Sequence, residues 1–179
     1  MKNLLISFFG CALPTLFSAN LFALDGIRIA AGGGEYSSEV YKISLLENFD
    51  KTWFSGRVKG HWELGFSHWD SDSDRGTVHD VQAIGFAPVF IYDFGSVGAT
   101  GQPYLEYSVG LLYMNEESIG DNEMGQRWQF DNRVGVGVRF GPNQRHDLSI
   151  SIRHVSNAST DEENDGFNSG QIAYTYHCF

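Results

Sequence analysis

Arg133-Val134-Gly135-Val136-Gly137-Val138-Arg139-Phe140 alternates without a break between two kinds of residue. Even positions are bulky and apolar; odd positions are glycine or arginine. A period of two belongs to a β-strand, whose successive side chains leave opposite faces. Which face lies inside decides the fold. A soluble sandwich or lipocalin-like barrel would bury the valines and leave the arginines in water. A barrel in lipid would do the reverse, with the valines against acyl chains and the arginines in a narrow interior filled by side chains and ion pairs.

The same alternation recurs eight times, and no segment has convincing helical periodicity. Ile27 to Ala31 opens the first strand and Tyr41 to Leu45 forms the second. Trp62, Leu64 and Phe66 share one face of the third; Ile84, Phe86, Phe90 and Tyr92 share one face of the fourth, which spans about Val78 to Tyr92. Leu105 to Tyr113 is the fifth and Arg133 to Phe140 the sixth. Leu148, Ile150 and Ile152 mark the seventh, and Ile172, Tyr174 and Tyr176 the eighth. Glu63, Arg133, Arg139 and Arg153 all fall on the polar face. Aromatics near strand ends (Tyr41, Trp62, Trp69, Tyr92, Tyr104, Tyr113, Trp128) suit girdles at the two membrane interfaces. These features favour the inverted arrangement: an all-β, eight-stranded antiparallel transmembrane barrel, closed so that no strand edge meets lipid.

Residues 1–23 read as an export signal, with a basic start at Lys2, an interrupted apolar run and small residues at Ala19 and Ala23 for cleavage. Residues 24–179 then form one domain by length. Only Cys178 remains after cleavage, which excludes a disulfide-stapled fold. A net charge of −10 argues against nucleic acid. Loops at 32–40, 69–76, 115–125 and 157–168 are acidic and generally longer than those at 49–56, 93–101 and 141–146; with a periplasmic N-terminus the acidic set faces outward from the cell. Asp70-Ser71-Asp72-Ser73-Asp74 reads as a solvated loop tip, since the glutamate a calcium loop would need is replaced by Val81. No metal-ligand spacing and no cofactor motif is present. Phe179 resembles the terminal aromatic of outer-membrane barrels, although His177 stands where a hydrophobic residue is usual.

The chemistry lies at the end of the seventh strand. By the parity of Leu148, Ile150 and Ile152, His154 and Ser156 also face outward. Two residues apart on one face, their Cα atoms lie ~7 Å from each other, close enough for the side chains to lean into a hydrogen bond. A serine nucleophile and its general base need that contact. Outside the barrel, at the height of the lipid head groups, such a pair suits an enzyme that acts on a membrane lipid.

His154-Val155-Ser156-Asn157-Ala158, followed by Asn164-Asp165-Gly166 and a last strand ending in Phe179, resembles the lipid A 3-O-deacylases (the PagL family). The resemblance implies an outer-membrane carboxylic-ester hydrolase acting on lipid A of lipopolysaccharide in the outer leaflet, without cofactor or metal. It implies Ser156 as nucleophile, His154 as general base, Asn157 with the backbone N–H groups after it at the oxyanion, and Asn164 as an organiser of the loop. The family pattern has a glutamate fourteen residues after the histidine, where this chain has Asn168. Asn168 faces outward beside His154 by parity. Either it orients the imidazole, or Glu162, Glu163 or Asp165 reaches in from the loop, or the enzyme is weak. An acyl chain would lie along Leu148, Ile150, Ile172 and Tyr174, with Arg75 and Arg127 near the phosphates; His68 sits near the outer end of the third strand, and His146 belongs at the far end. The sequence leaves open the acyl position, the oligomeric state (a homodimer included) and a rival reading as a non-enzymatic structural or adhesion barrel.

Overall fold

The computed structural model describes residues 24–71, 80–95 and 101–178. The expected signal over 1–23, the loop residues Asp72, Ser73, Asp74 and Arg75, His79, and Phe179 lie outside the described residues. Ten strands follow in chain order: β1 (Gly26–Gly34), β2 (Glu39–Asn48), β3 (Val58–Asp70), β4 (Asp80–Asp93), β5 (Gly101–Met114), β6 (Ser118–Ile119), β7 (Asn122–Glu123), β8 (Trp128–Phe140), β9 (His146–Ser156) and β10 (Phe167–His177). Eight of them close a barrel in the order β1-β10-β9-β8-β5-β4-β3-β2, every pair antiparallel. Closure occurs between the first and last strands, where Gly26 pairs with His177 and Gly34 with Ser169.

The barrel is inverted, as the alternation implies. Ile150, Ile152 and Ile172 are 58%, 65% and 61% exposed, whereas Arg153 and Glu63 are each 1% exposed. Strands of 9 to 14 residues are long enough to cross a bilayer core at a tilt. The interior is divided along its length. At mid-height Arg28 pairs with Glu106, and Glu63 receives both Arg133 and Lys42 at 2.7 Å. Towards the chain-terminal end Tyr104 donates to Asp147, and Arg139 reaches Asp93. At the opposite end the lumen turns apolar: Val40, Trp69, Val81, Leu112, Met114, Ile119, Met124, Val155 and Phe167 form a closed plug.

Two expectations about aromatics need correction. Trp69 and Tyr104 do not belong to the interfacial girdle; they are 0% and 1% exposed and point inward. Their parity is opposite to that of Trp62 on β3 and Leu105 on β5, which overrides nearness to a strand end. Each ring instead covers a guanidinium, Arg153 at 4.9 Å from the Trp69 ring and Arg139 at 5.1 Å from the Tyr104 ring. Tyr41, Trp62, Tyr113 and Trp128 do face outward. The segment expected as the loop 115–125 also contains the small β6–β7 hairpin, whose Ile119 is part of the plug.

Candidate active site

Strand β9 carries His154 and Ser156 to the plugged end of the barrel. Val155 between them is completely buried in the plug, so the backbone that carries the pair is fixed from inside. His154 is half-buried, and Ser156 is 9% exposed. Opposite His154 in the β9–β10 register stands Asn168. Nδ1 of His154 donates to Oδ1 of Asn168 at 2.8 Å. An amide oxygen only accepts, so the proton sits on Nδ1 and leaves Nε2 as the basic nitrogen. Among the described residues the Ser156 hydroxyl has no hydrogen-bond partner, which leaves its rotor free to turn.

Asn157 is fully buried and ties the loop down. Its Nδ2 donates to the carbonyls of Met124 at 2.9 Å and Glu163 at 2.7 Å, and its backbone N–H donates to Oδ1 of Asn164 at 2.9 Å. The expected oxyanion role therefore does not match its geometry: every donor is committed, and the one atom left unpartnered is Oδ1, an acceptor. These bonds join the 157–164 loop to Met124 beside the hairpin. Asn164 is the reverse case. Its oxygen is held by the Asn157 N–H, which turns its Nδ2 donors away, and among the described residues they meet no acceptor. The backbone N–H groups of Ala158 and Ser159, which lie in a left-handed turn (φ 55° and 61°), are likewise uncommitted.

Gly166, quoted in the motif without a task of its own, lies against the imidazole. A Cβ there would come 3.0 Å from Cε1 of His154 and 3.7 Å from Nε2, and its φ of +70° is one that a side chain disfavours. The Gly166 carbonyl is held at 2.7 Å by Asn122 from the β6–β7 hairpin.

Two of the three loop carboxylates, Asp165 and Glu163, are engaged elsewhere. Asp165 accepts the backbone N–H of Glu123. The Glu163 carboxyl meets that of Glu123, and their hydrogen bond and repulsion push the Glu163 pKa up. Glu162 is exposed on the loop. The carboxylate that does approach is Glu35, just past β1, whose Oε1 accepts from Nδ2 of Asn168 at 2.8 Å. Sequence reasoning missed it because it lies 133 residues from Asn168. The register of barrel closure is the signal that could have found it, since Gly34 faces Ser169.

Below the site, on the outer wall, Ile29, Ile43, Phe66, His68, Leu148, Ile172 and Tyr174 line an apolar groove of about 520 Å³. Ala30 and Ala31 of β1 also line it. Ile150 stands outside it, beside a second apolar hollow next to β5 and β8. Arg127 is exposed and 3.7 Å from Glu117. His146 begins β9 at the far end, where its Nδ1 pairs with the Tyr174 hydroxyl. Among the described residues no group of His, Cys, Asp or Glu has the arrangement of a metal site.

The profile of one family, Lipid A 3-O-deacylase (PagL), matches residues 39–177. A lipid A deacylase PagL of Pseudomonas aeruginosa is 31% identical over 179 residues, covering 97% of this chain and 98% of that protein. One of Bordetella bronchiseptica is 30% identical over 158 residues, 84% of this chain and 82% of that protein. A crystal structure described as that of the outer membrane enzyme PagL superimposes with a TM-score of 0.72 at 27% identity, over 84% of this chain and 98% of that one.

Proposed function

The chain belongs to the lipid A 3-O-deacylase (PagL) family and is an outer-membrane hydrolase of a lipid A ester; from that premise we propose that it works by serine catalysis at His154 and Ser156. Membership removes the rival reading as a non-enzymatic structural or adhesion barrel. The observation that carries the mechanism is the 2.8 Å bond from His154 Nδ1 to Asn168. It leaves Nε2 as a base on the outer face, two residues along the strand from an unengaged serine hydroxyl.

Nε2 of His154 takes the Ser156 proton as Oγ attacks the carbonyl carbon of the 3-O-linked hydroxyacyl ester. Asn164 Nδ2 and the N–H groups of Ala158 and Ser159 hold the oxyanion; one well-placed donor of this kind is worth about 3 kcal/mol of barrier. The C–O bond to the sugar then breaks, and the imidazolium returns its proton to the sugar oxygen. A water, deprotonated in turn by His154, splits the acyl-enzyme to release the hydroxy fatty acid. The groove from Ile29 to Tyr174 takes the acyl chain, and the exposed Arg127 is the cation offered to a phosphate of the substrate.

Mass spectrometry of lipid A from cells producing each form tests the reading. Wild type removes one hydroxyacyl mass. Ser156→Ala removes none, because losing the nucleophile costs about 10⁴-fold or more. Asn168→Ala still deacylates, but about 10- to 100-fold more slowly, as expected for a group that only fixes a histidine's tautomer. Full deacylation by Ser156→Ala would sink the mechanism.

A further inference from the structure

We propose that Glu35 is a positioning residue of the reaction, supplying through Asn168 the carboxylate that the family pattern places next to the histidine. The inference rests on the reading of His154 and Ser156 as base and nucleophile. It begins at the seam of the barrel. β1 runs antiparallel to β10 up to the pair Gly34–Ser169, so the next residue leaves the sheet beside Asn168. The Glu35 backbone N–H donates to the Asn168 carbonyl at 3.2 Å. The Asn168 backbone N–H returns a bond to Glu35 Oε2 at 3.3 Å, and Asn168 Nδ2 donates to Oε1 at 2.8 Å. Asn122 from the hairpin donates to Oε2 at 3.0 Å, fixing the carboxylate from the other side.

This arrangement answers two defects of an asparagine in that place. An amide can flip, and flipped it would offer donors to Nδ1 and impose the wrong tautomer on His154. With Nδ2 bound to a carboxylate, only the oxygen can face the imidazole. An amide is also neutral, so it gives the imidazolium no counter-charge. Glu35 places a negative charge one side chain behind it. Partial burial pushes the Glu35 carboxyl up, but the bonds from Asn168 and Asn122 and the nearness of His154 outweigh it and hold the pKa below the usual carboxylate value. Glu35 is therefore ionised at neutral pH. It lies outside the stretch matched by the family profile, which begins at residue 39. His154, Asn168 and Glu35 form a two-step relay that draws on the opposite end of the chain.

The test is a double-mutant cycle on purified enzyme in detergent, scoring hydroxy fatty acid released from lipopolysaccharide. Folding is checked by mobility on an unboiled gel. Glu35→Gln, nearly isosteric, is expected to lower kcat about 10- to 100-fold with KM little changed. Asn168→Glu alone sets two carboxylates together and is also slow. The double variant, Glu35→Gln with Asn168→Glu, restores the direct carboxylate and recovers activity to near wild type. A Glu35→Gln enzyme as fast as wild type overturns the inference. So does a double variant no faster than Glu35→Gln alone, because Glu35 would then serve only the loop's shape. Ser156→Ala is run beside them: if it is inactive while Glu35→Gln is fully active, the relay fails and the mechanism stands; if it is active, both fail.

Discussion

Arg153 and His154 follow one another on β9 and carry opposite kinds of electrostatics. Arg153 faces the lumen, is 1% exposed and donates from two nitrogens to Asp131 at 2.7 and 2.8 Å, with Trp69 over its guanidinium. His154 faces outward, is half-buried and makes one hydrogen bond, to a neutral amide. The inner charge is saturated and immobile; the outer group keeps one nitrogen uncommitted. Buried ion pairs gain little net stability because desolvation offsets the attraction, but losing one partner strands the other. The lumen thus acts as a rigid frame. The outer face can then hold an underused base in place without binding it on every side.

Breaking the frame should have the largest consequence. Glu63→Leu removes the 2.7 Å partner of both Arg133 and Lys42 and leaves them only Glu106 at 3.5 Å and Asp131 at 3.8 Å. It should cost roughly 3 kcal/mol of unfolding free energy, the low end for a broken buried pair, measured by urea denaturation in detergent. Activity per folded molecule should not change; a large loss there would mean that frame and site are not separable. Gly166→Ala probes the outer face alone. It inserts a methyl group 3.0 Å from His154 Cε1 at a left-handed position, and about 10-fold of kcat should go, of the order that 1–2 kcal/mol of local strain implies. The unfolding midpoint should shift far less than for Glu63→Leu. The pH dependence is smaller again. A carboxyl with a lowered folded pKa stabilises the native state above its unfolded value, and that stabilisation is lost as pH falls through the folded one. For Glu35 the loss lies below about pH 4.5, so wild-type activity between pH 5 and 8 should show no titration of the relay's far end. Last, Glu162→Gln should leave deacylation unaltered, since that side chain is exposed on the loop; a marked slowing would return the third role to the loop.

Much of this was legible in the sequence because a period of two is a strong signal. Arg133 to Phe140 assigns its inner and outer faces residue by residue, and the parity of Ile150 carries through to His154, Ser156 and, on the next strand, Asn168. Trp69 and Tyr104 face inward because parity, not nearness to a strand end, decides the face. The β6–β7 hairpin gave no warning, because two-residue strands have no period. The committed donors of Asn157 could not be read either: motif spacing gives neighbours, not the directions of their hydrogens. Nor could Glu35, whose partner is set by which strands meet at closure. Of the loop carboxylates near His154 in sequence, Glu163 and Asp165 meet the hairpin in space and Glu162 is exposed.

Barrel closure also bears on time. His154 and Ser156 lie on one strand, but the contact between Glu35 and Asn168 spans 133 residues and needs the first strand to have met the last. Long-range pairings of this kind form late in folding. On the proposed mechanism, a chain whose ends have not yet met holds Ser156 and His154 without the alignment that Glu35 would give through Asn168.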